Sequence, residues 1–174
     1  MEKGDYVFPA GFLWGAATAS HQVEGDNKND WSEWEKINAG RLAQEAKNKW
    51  QSWQQEQFPE MFTAENYISG RACDHYNRFD EDFELAKSLG HNAHRFSLEW
   101  SRLEPEKGKF NQAAVDHYSQ VIDSLRKKGL EPFVTISHFS LPVWFSQSGG
   151  WENKEAVFLF GKLVDYLAKH WVIK

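Results

Sequence analysis

The segment Tyr76-Asn-Arg-Phe-Asp-Glu-Asp-Phe-Glu-Leu-Ala-Lys-Ser-Leu-Gly-His-Asn-Ala-His-Arg-Phe-Ser-Leu98 changes its hydrophobic period halfway along, and that change decides the fold class. Tyr76, Phe79, Phe83, Ala86 and Leu89 step by three and four residues, the spacing of one helix face, and Gly90 stands where a left-handed cap would end the helix. From Asn92 to Leu98 the alternation is that of a strand, so a helix passes directly into a strand.

Downstream the unit recurs. Asn111 is a candidate N-cap for a helix carrying Val115, Tyr118, Ile122 and Leu125, which closes at Gly129 before the strand Glu131 to Ser137. A third helix is predicted from a cap at Asn153, with Val157, Phe160, Val164 and Leu167, and Trp171 to Lys174 reads as the opening of a fourth strand. Upstream, Phe8 to Gly25 runs from a short apolar strand into an exposed polar hook ending in His21, Gln22 and Glu24. Repeated strand-helix units imply parallel strands joined by right-handed crossovers, an α/β architecture. The stretch from about 26 to 72 interrupts that rhythm as an insertion after the first strand. Within it Arg41 to Gln57 reads as helical, either a surface helix docked through Trp50 and Trp53 or a flap over a pocket mouth.

Composition narrows the classes. With 174 residues, 41% hydrophobic and 26% charged, the chain fits one domain with a sizeable core. A net charge of -5 gives no footprint for nucleic acid. The start has neither a basic region leading into an apolar run nor a cleavage site, and no segment reaches the ~18 apolar residues of a membrane span, so no membrane role and a cytoplasmic location are expected. Cys73 is the only cysteine and is expected to be a buried, inert thiol. Nine tryptophans and 16% aromatics exceed ordinary usage, and indole rings suit the apolar faces of sugars as well as a core.

Strand alternation places Ala93, Arg95, Ser97 and Glu99 on one face and His94, Phe96 and Leu98 on the other. A charged Arg95 in mid-strand calls for a carboxylate, either Glu99 or a neighbouring strand in a structural ion pair, or a catalytic carboxylate held ionised. His138 falls at the carboxyl end of its strand, where α/β enzymes build their sites, and serves either as a structural histidine or in the site. Glu24 is a hook residue, Glu99 ends a strand, and Glu104 and Glu106 are loop charges.

Three separated motifs in one order, FLWGAATASHQVEG from Phe12, HRFSLEWSR from His94 to Arg102, and SHFSLP with GGWEN between Ser137 and Asn153, resemble glycoside hydrolase family 1, the retaining β-glucosidases and β-galactosidases. The resemblance implies a (β/α)8 TIM barrel, no cofactor, no metal, and double displacement by two glutamates. It implies that Gln22 and His138 bind glycone hydroxyls, that Phe139 stands where many members carry Trp, and that Arg95 sits beside the nucleophile. Trp31 and Trp144 are candidate pocket walls. The acid/base glutamate is expected just after Lys174 and the nucleophile later, so no glutamate of this chain inherits either role.

Residues 1–174 are therefore read as a single partial domain holding about three and a half of eight barrel units, a whole barrel needing at least ~200 residues. The expected partners are a β-glycoside sugar and either the remaining C-terminal barrel segment or a second copy of the chain, because open strand edges and uncovered apolar faces need covering. A free-standing carbohydrate-binding fragment without catalysis is the alternative. An unrelated metal enzyme using His91, His94 or the Asp74-His75 pair is a weaker one, since His91 and His94 would point to opposite faces of a strand.

Overall fold

A computed structural model describes residues 7–171. Three short strands, β1 (Gly15–Ala17), β2 (Ala93–Ser97) and β3 (Glu131–Thr135), form a parallel sheet in the order β1-β2-β3. Ala17 pairs with Arg95, and Arg95 in turn with Phe133. β1 is short and tight for a steric reason: a Cβ on Gly15 would meet the Ala93 carbonyl oxygen at 2.3 Å.

The connections supply the helices. After β1 come the turn α1 (Ser20–Val23), α2 (Asp30–Lys49), α3 (Ser52–Gln57) and two 3-10 turns at Pro59–Phe62 and Ala64–Tyr67, all before α4 (His75–Ser88) leads into β2. A short α5 (Trp100–Leu103) and α6 (Gln112–Lys127) join β2 to β3. Beyond β3 lie α7 (Val143–Gln147), a 3-10 turn at Gly150–Glu152 and α8 (Ala156–Trp171).

Two helices stop by the same device. Gly90 and Gly129 take φ of +82° and +73°, and the next residues, His91 and Leu130, donate their N–H groups back to Ala86 and Leu125. This six-to-one closure satisfies end carbonyls at a conformation only glycine adopts without strain, and it aims the chain into the following strand.

The core lies between the helix-facing side of the sheet and α4, α6 and α8. Phe83, Phe96, Leu98, Trp100, Tyr118, Leu125 and Leu163 are its buried centre. The expected stripe on α4 holds at Phe83 and Ala86, but Leu89 is exposed past the last turn. On α8 the buried positions are Ala156, Leu159, Leu163 and Leu167, so Val157 faces outward at 84% exposure; the helix begins at Ala156, and its phase is set by packing against α6 and not by a cap at Asn153.

Several expectations need correction. Trp171 closes α8 instead of opening a fourth strand, its indole donating to Ser119 Oγ at 2.9 Å, and Val172 to Lys174 lie outside the described residues. Cys73 is exposed, because it sits in the turn ahead of α4 and not on a core-facing element. Arg95 meets no carboxylate among the described residues. Its guanidinium lies on the face of the sheet away from the helices, exposed, and donates through Nε to Thr135 Oγ1 at 2.7 Å. A charge left in water needs no counter-charge, and the ion pair expected with Glu99 does not form among the described residues.

Candidate active site

The site is assembled at the carboxyl ends of the three strands around one buried carboxylate, Glu99. It accepts hydrogen bonds from the hydroxyls of Ser20 (3.1 Å), Ser101 (2.8 Å) and Ser140 (3.0 Å) and from Asn29 Nδ2 (3.1 Å), and it is fully buried. Ser20 follows β1, Asn29 caps α2, Ser101 opens α5 and Ser140 follows β3. One carboxylate therefore fixes the relative positions of the three connections that follow β1, β2 and β3. Its negative charge is tolerable in the interior only because charge-assisted bonds replace its lost hydration.

Glu24 is a second such anchor, and the hook is consequently less exposed than its polarity suggests. Glu24 is buried, accepts from Tyr118 Oη at 2.7 Å, and pairs with Arg102 Nε at 2.9 Å, while the Arg102 guanidinium lies 4.0 Å from the centre of the Tyr76 ring. Burial outweighs these favourable contacts and raises the Glu24 pKa to about 7. Glu104 lies in the loop after α5, as expected, but not in solvent. It is buried and accepts from Trp100 Nε1 at 2.8 Å and from the Gly108 amide at 2.7 Å.

The hook backbone folds into one helical turn because Ser20 donates its N–H to Ser97 Oγ at 2.8 Å and accepts at its carbonyl from Glu24 and Asn27. Gly25 then turns with φ +84° against the Arg71 carbonyl, an approach that leaves no room for a Cβ. Within this frame His21 is locked on both nitrogens. Asn29 Oδ1 accepts from the Ser32 amide, so Asn29 Nδ2 is the donor to His21 Nδ1 at 3.1 Å. His21 Nε2 must then carry the proton and donate to Glu35 Oε1 at 2.9 Å. The other oxygen of Glu35 accepts from the amide and hydroxyl of Ser69. Burial works to raise the Glu35 pKa, but the bonds from Ser69 and His21 prevail and hold it below the ordinary carboxylate value.

Between these walls opens a cavity of about 620 Å³, lined by Ala19, His21, Gln22, Trp31, Glu35, Ser69, His138, Phe139 and Ser140. Gln22, His138, Phe139 and Trp31 thus meet in one place, although they come from two connections, those after β1 and after β3. Trp144 is absent from this lining. Its indole donates to the Glu104 carbonyl at 2.8 Å and its ring packs 5.9 Å from Trp100, so the turn of α7 directs it inward. Arg95 is also outside the lining.

Phe139 carries a backbone signature of its own. Its φ is +66° and the Ser140 N–H donates across it to the His138 carbonyl, a three-residue turn unfavourable for a bulky side chain. The turn leaves the Phe139 ring 78% exposed at the cavity and sends Ser140 back to Glu99.

Sequence reasoning missed Glu35, Ser69 and the anchoring roles of Glu99 and Glu24. A signal existed for part of this: Asn29 and Ser32 form a reciprocal capping box, legible as Asn-x-x-Ser ahead of a helix. None existed for Ser69, which reaches Glu35 across 34 positions. Of the cavity-lining residues only Glu35 is a carboxylate, and it is committed to its three donors.

Comparison with known proteins places this geometry in context. The family model described as glycosyl hydrolase family 1 matches residues 5–172. Beta-glucosidase A of Thermotoga maritima is 41% identical over 160 residues, covering 89% of this chain and 31% of the relative. The cytosolic beta-glucosidase of Homo sapiens is 36% identical over 162 residues, covering 92% and 31%. The solved beta-glycosidase from Pyrococcus horikoshii superposes with a TM-score of 0.75 at 39% identity, covering 93% of this chain and 33% of that one. The chain spans about a third of the length of the curated relatives it matches.

Proposed function

Since the chain belongs to glycosyl hydrolase family 1, we propose that it is the N-terminal segment of a retaining β-glycosidase acting on terminal β-linked glucosides or galactosides. Its share of the work is to bind and orient the glycone through Gln22 and His138, with Phe139 and Trp31 as apolar walls. The observation that carries this reading is the convergence of those four residues on one cavity at the carboxyl ends of parallel strands.

Glycoside cleavage with retention needs two carboxyl groups about 5–5.5 Å apart, one protonated to release the leaving oxygen and one ionised to attack. Glu99, Glu24 and Glu104 are buried in structural bonds and line no part of the cavity. Glu35 stands alone there. Both catalytic glutamates are therefore assigned to sequence outside this segment, where Arg95, solvent-facing here, would neighbour the nucleophile. Residues 1–174 then form a single partial domain of a (β/α)8 barrel, with the insertion at about 26–72 forming one wall of the site.

The same reading requires a partner: the C-terminal barrel segment, or a second copy. It is supported by the edges of β1 and β3 left unpaired among the described residues and by a groove of about 310 Å³ beside β3, lined by Ile122, Pro132, Val134, Ile136, Val164 and Leu167 among others. No helix among the described residues is long and apolar enough to cross a membrane. A cytoplasmic location is part of the proposal, supported by the relative named as cytosolic.

The decisive experiment measures release of an aryl leaving group from an aryl β-glucoside by mass-verified 174-residue chains, alone and with the C-terminal segment added. Turnover is expected only in the mixture. Turnover by the homogeneous chain alone would overturn the assignment of the catalytic pair to another segment.

A further inference from the structure

Gln22 reaches the cavity from the single helical turn α1, which carries no side-chain cap and is too short to be stable by itself. The amino end of the turn is tied to β2 through Ser20 and Ser97. Its carboxyl end is tied by one guanidinium. Arg102, from α5, shares its Nε proton between Glu24 Oε2 at 2.9 Å and Asn27 Oδ1 at 3.1 Å, and a second nitrogen donates to the Gly25 carbonyl. Asn27 in turn donates through Nδ2 to the Ser20 carbonyl at 3.1 Å, which closes the loop across Gln22. Arg102 lines no part of the cavity, so its effect on a ligand there passes through the hook.

The hydrogen bonds around Glu24 have a definite direction. Tyr118 Oη accepts from the Glu99 amide at 3.0 Å and gives its one proton to Glu24 Oε1 at 2.7 Å. With Oε2 accepting from Arg102, both oxygens are acceptors, the pattern of an ionised carboxylate. A protonated Glu24 would have to donate toward Tyr118 or Arg102, and Arg102 cannot accept. The charged or titratable groups that face Glu24 are Arg102 of α5, His117 and Tyr118 of α6, His75 and Tyr76 of α4, and Glu99 at the end of β2. Burial lowers His117 to about 4 and raises Tyr76 and Tyr118, so none of these three changes charge near neutrality.

We propose that Arg102 is a positioning residue for sugar binding, setting Gln22 through Glu24, Gly25 and Asn27, and that it does so fully only when Glu24 is ionised. The hook is then a proton-sensitive latch on the glycone cavity. The inference rests on the assignment of Gln22 to the glycone and deepens it. Burial, by raising Glu24 to about 7, puts the change near neutral pH.

The test measures the glucose affinity of the full 174-residue chain by calorimetry from about pH 6 to 8, spanning that value, with the Gln22 side-chain amide followed by NMR. Affinity is expected to rise about fivefold with pH, the weight of one hydrogen bond to the sugar, and the Gln22 amide resonances to move with the same midpoint. Glu24→Gln cannot accept at both positions, so its affinity stays at the low value and its profile is flat. Any response of His21, His75 or His138 is common to both chains, and the difference between the profiles belongs to Glu24. Arg102→Lys keeps the charge without the flat fork and is expected to lose about fivefold at the upper pH. Should it not fold, the Glu24→Gln comparison decides alone. Identical profiles for the unaltered and Glu24→Gln chains, or full affinity in Arg102→Lys, while Gln22→Ala still weakens binding, overturn the latch alone. Absence of glucose binding to the unaltered chain, or indifference to Gln22→Ala, overturns it together with the glycone assignment.

Discussion

At the scale of single residues, this site is held together by buried acids. Glu99 Oε2 alone accepts from Ser20, Asn29 and Ser140, so Glu99→Gln would turn an amide toward donors that need an acceptor. We expect Glu99→Gln to lower stability by about 2–4 kcal/mol, read as a shift in the urea midpoint, because several buried bonds fail together. A loss below about 0.5 kcal/mol would refute the anchoring role. The sequence marked Gln22 and His138 through their motifs but ranked Glu99 as a mere strand end. Its partners come from positions 20, 29, 101 and 140, and no spacing rule connects them.

Among the elements, the hook is the joint between β1 and the insertion, and it tolerates no side chain at Gly25. A Cβ there would sit 2.0 Å from the Arg71 carbonyl oxygen at φ +84°, so Gly25→Ala must shift backbone and not merely a rotamer. Because Arg102 also donates to the Gly25 carbonyl, the shift would pull on the Glu24 pair. The expected outcome of Gly25→Ala is a stability loss of about 2–3 kcal/mol, with glycone binding lost more completely than the global fold. Gly90→Ala and Gly129→Ala, where a Cβ would meet nothing, cost only the left-handed strain of about 1 kcal/mol. Equal losses at Gly25 and Gly129 would show that close approach is not what distinguishes them.

For the whole molecule, opposing titrations set the pH dependence. Burial, the largest cause, lowers His94 and His117 to about 4, so their contribution is full above pH 6.5 and is lost as pH falls through 4. Glu24 acts in the other sense: its folded pKa of about 7 lies above the ordinary 4.5, so its contribution is lost as pH rises between those values. Two histidines, joined by the lowered Glu35, oppose Glu24 and Asp30, whose pKa burial likewise raises. Stability measured by urea unfolding should therefore rise from pH 4 to pH 6.5, and the rise should be steeper in Glu24→Gln. A decline across that window would contradict the balance of these opposing environments.

The alternation of periods 3.6 and 2 determined the parallel strand-helix order, because each period commits one face to burial whatever its neighbours are. It also fixed the capping glycines and, through local motifs, the positions of Gln22, His138 and Phe139. Tertiary structure alone decided which groups share an environment. Arg95 went to solvent because the inner face of the sheet is uncovered, Trp144 turned inward to Glu104, and Leu89 and Val157 left their stripes. Glu35 and Ser69 joined the site from an insertion without a period to read. Local pattern records how much of a residue is buried, whereas long-range packing decides against what, and a binding site is made of the second kind of information.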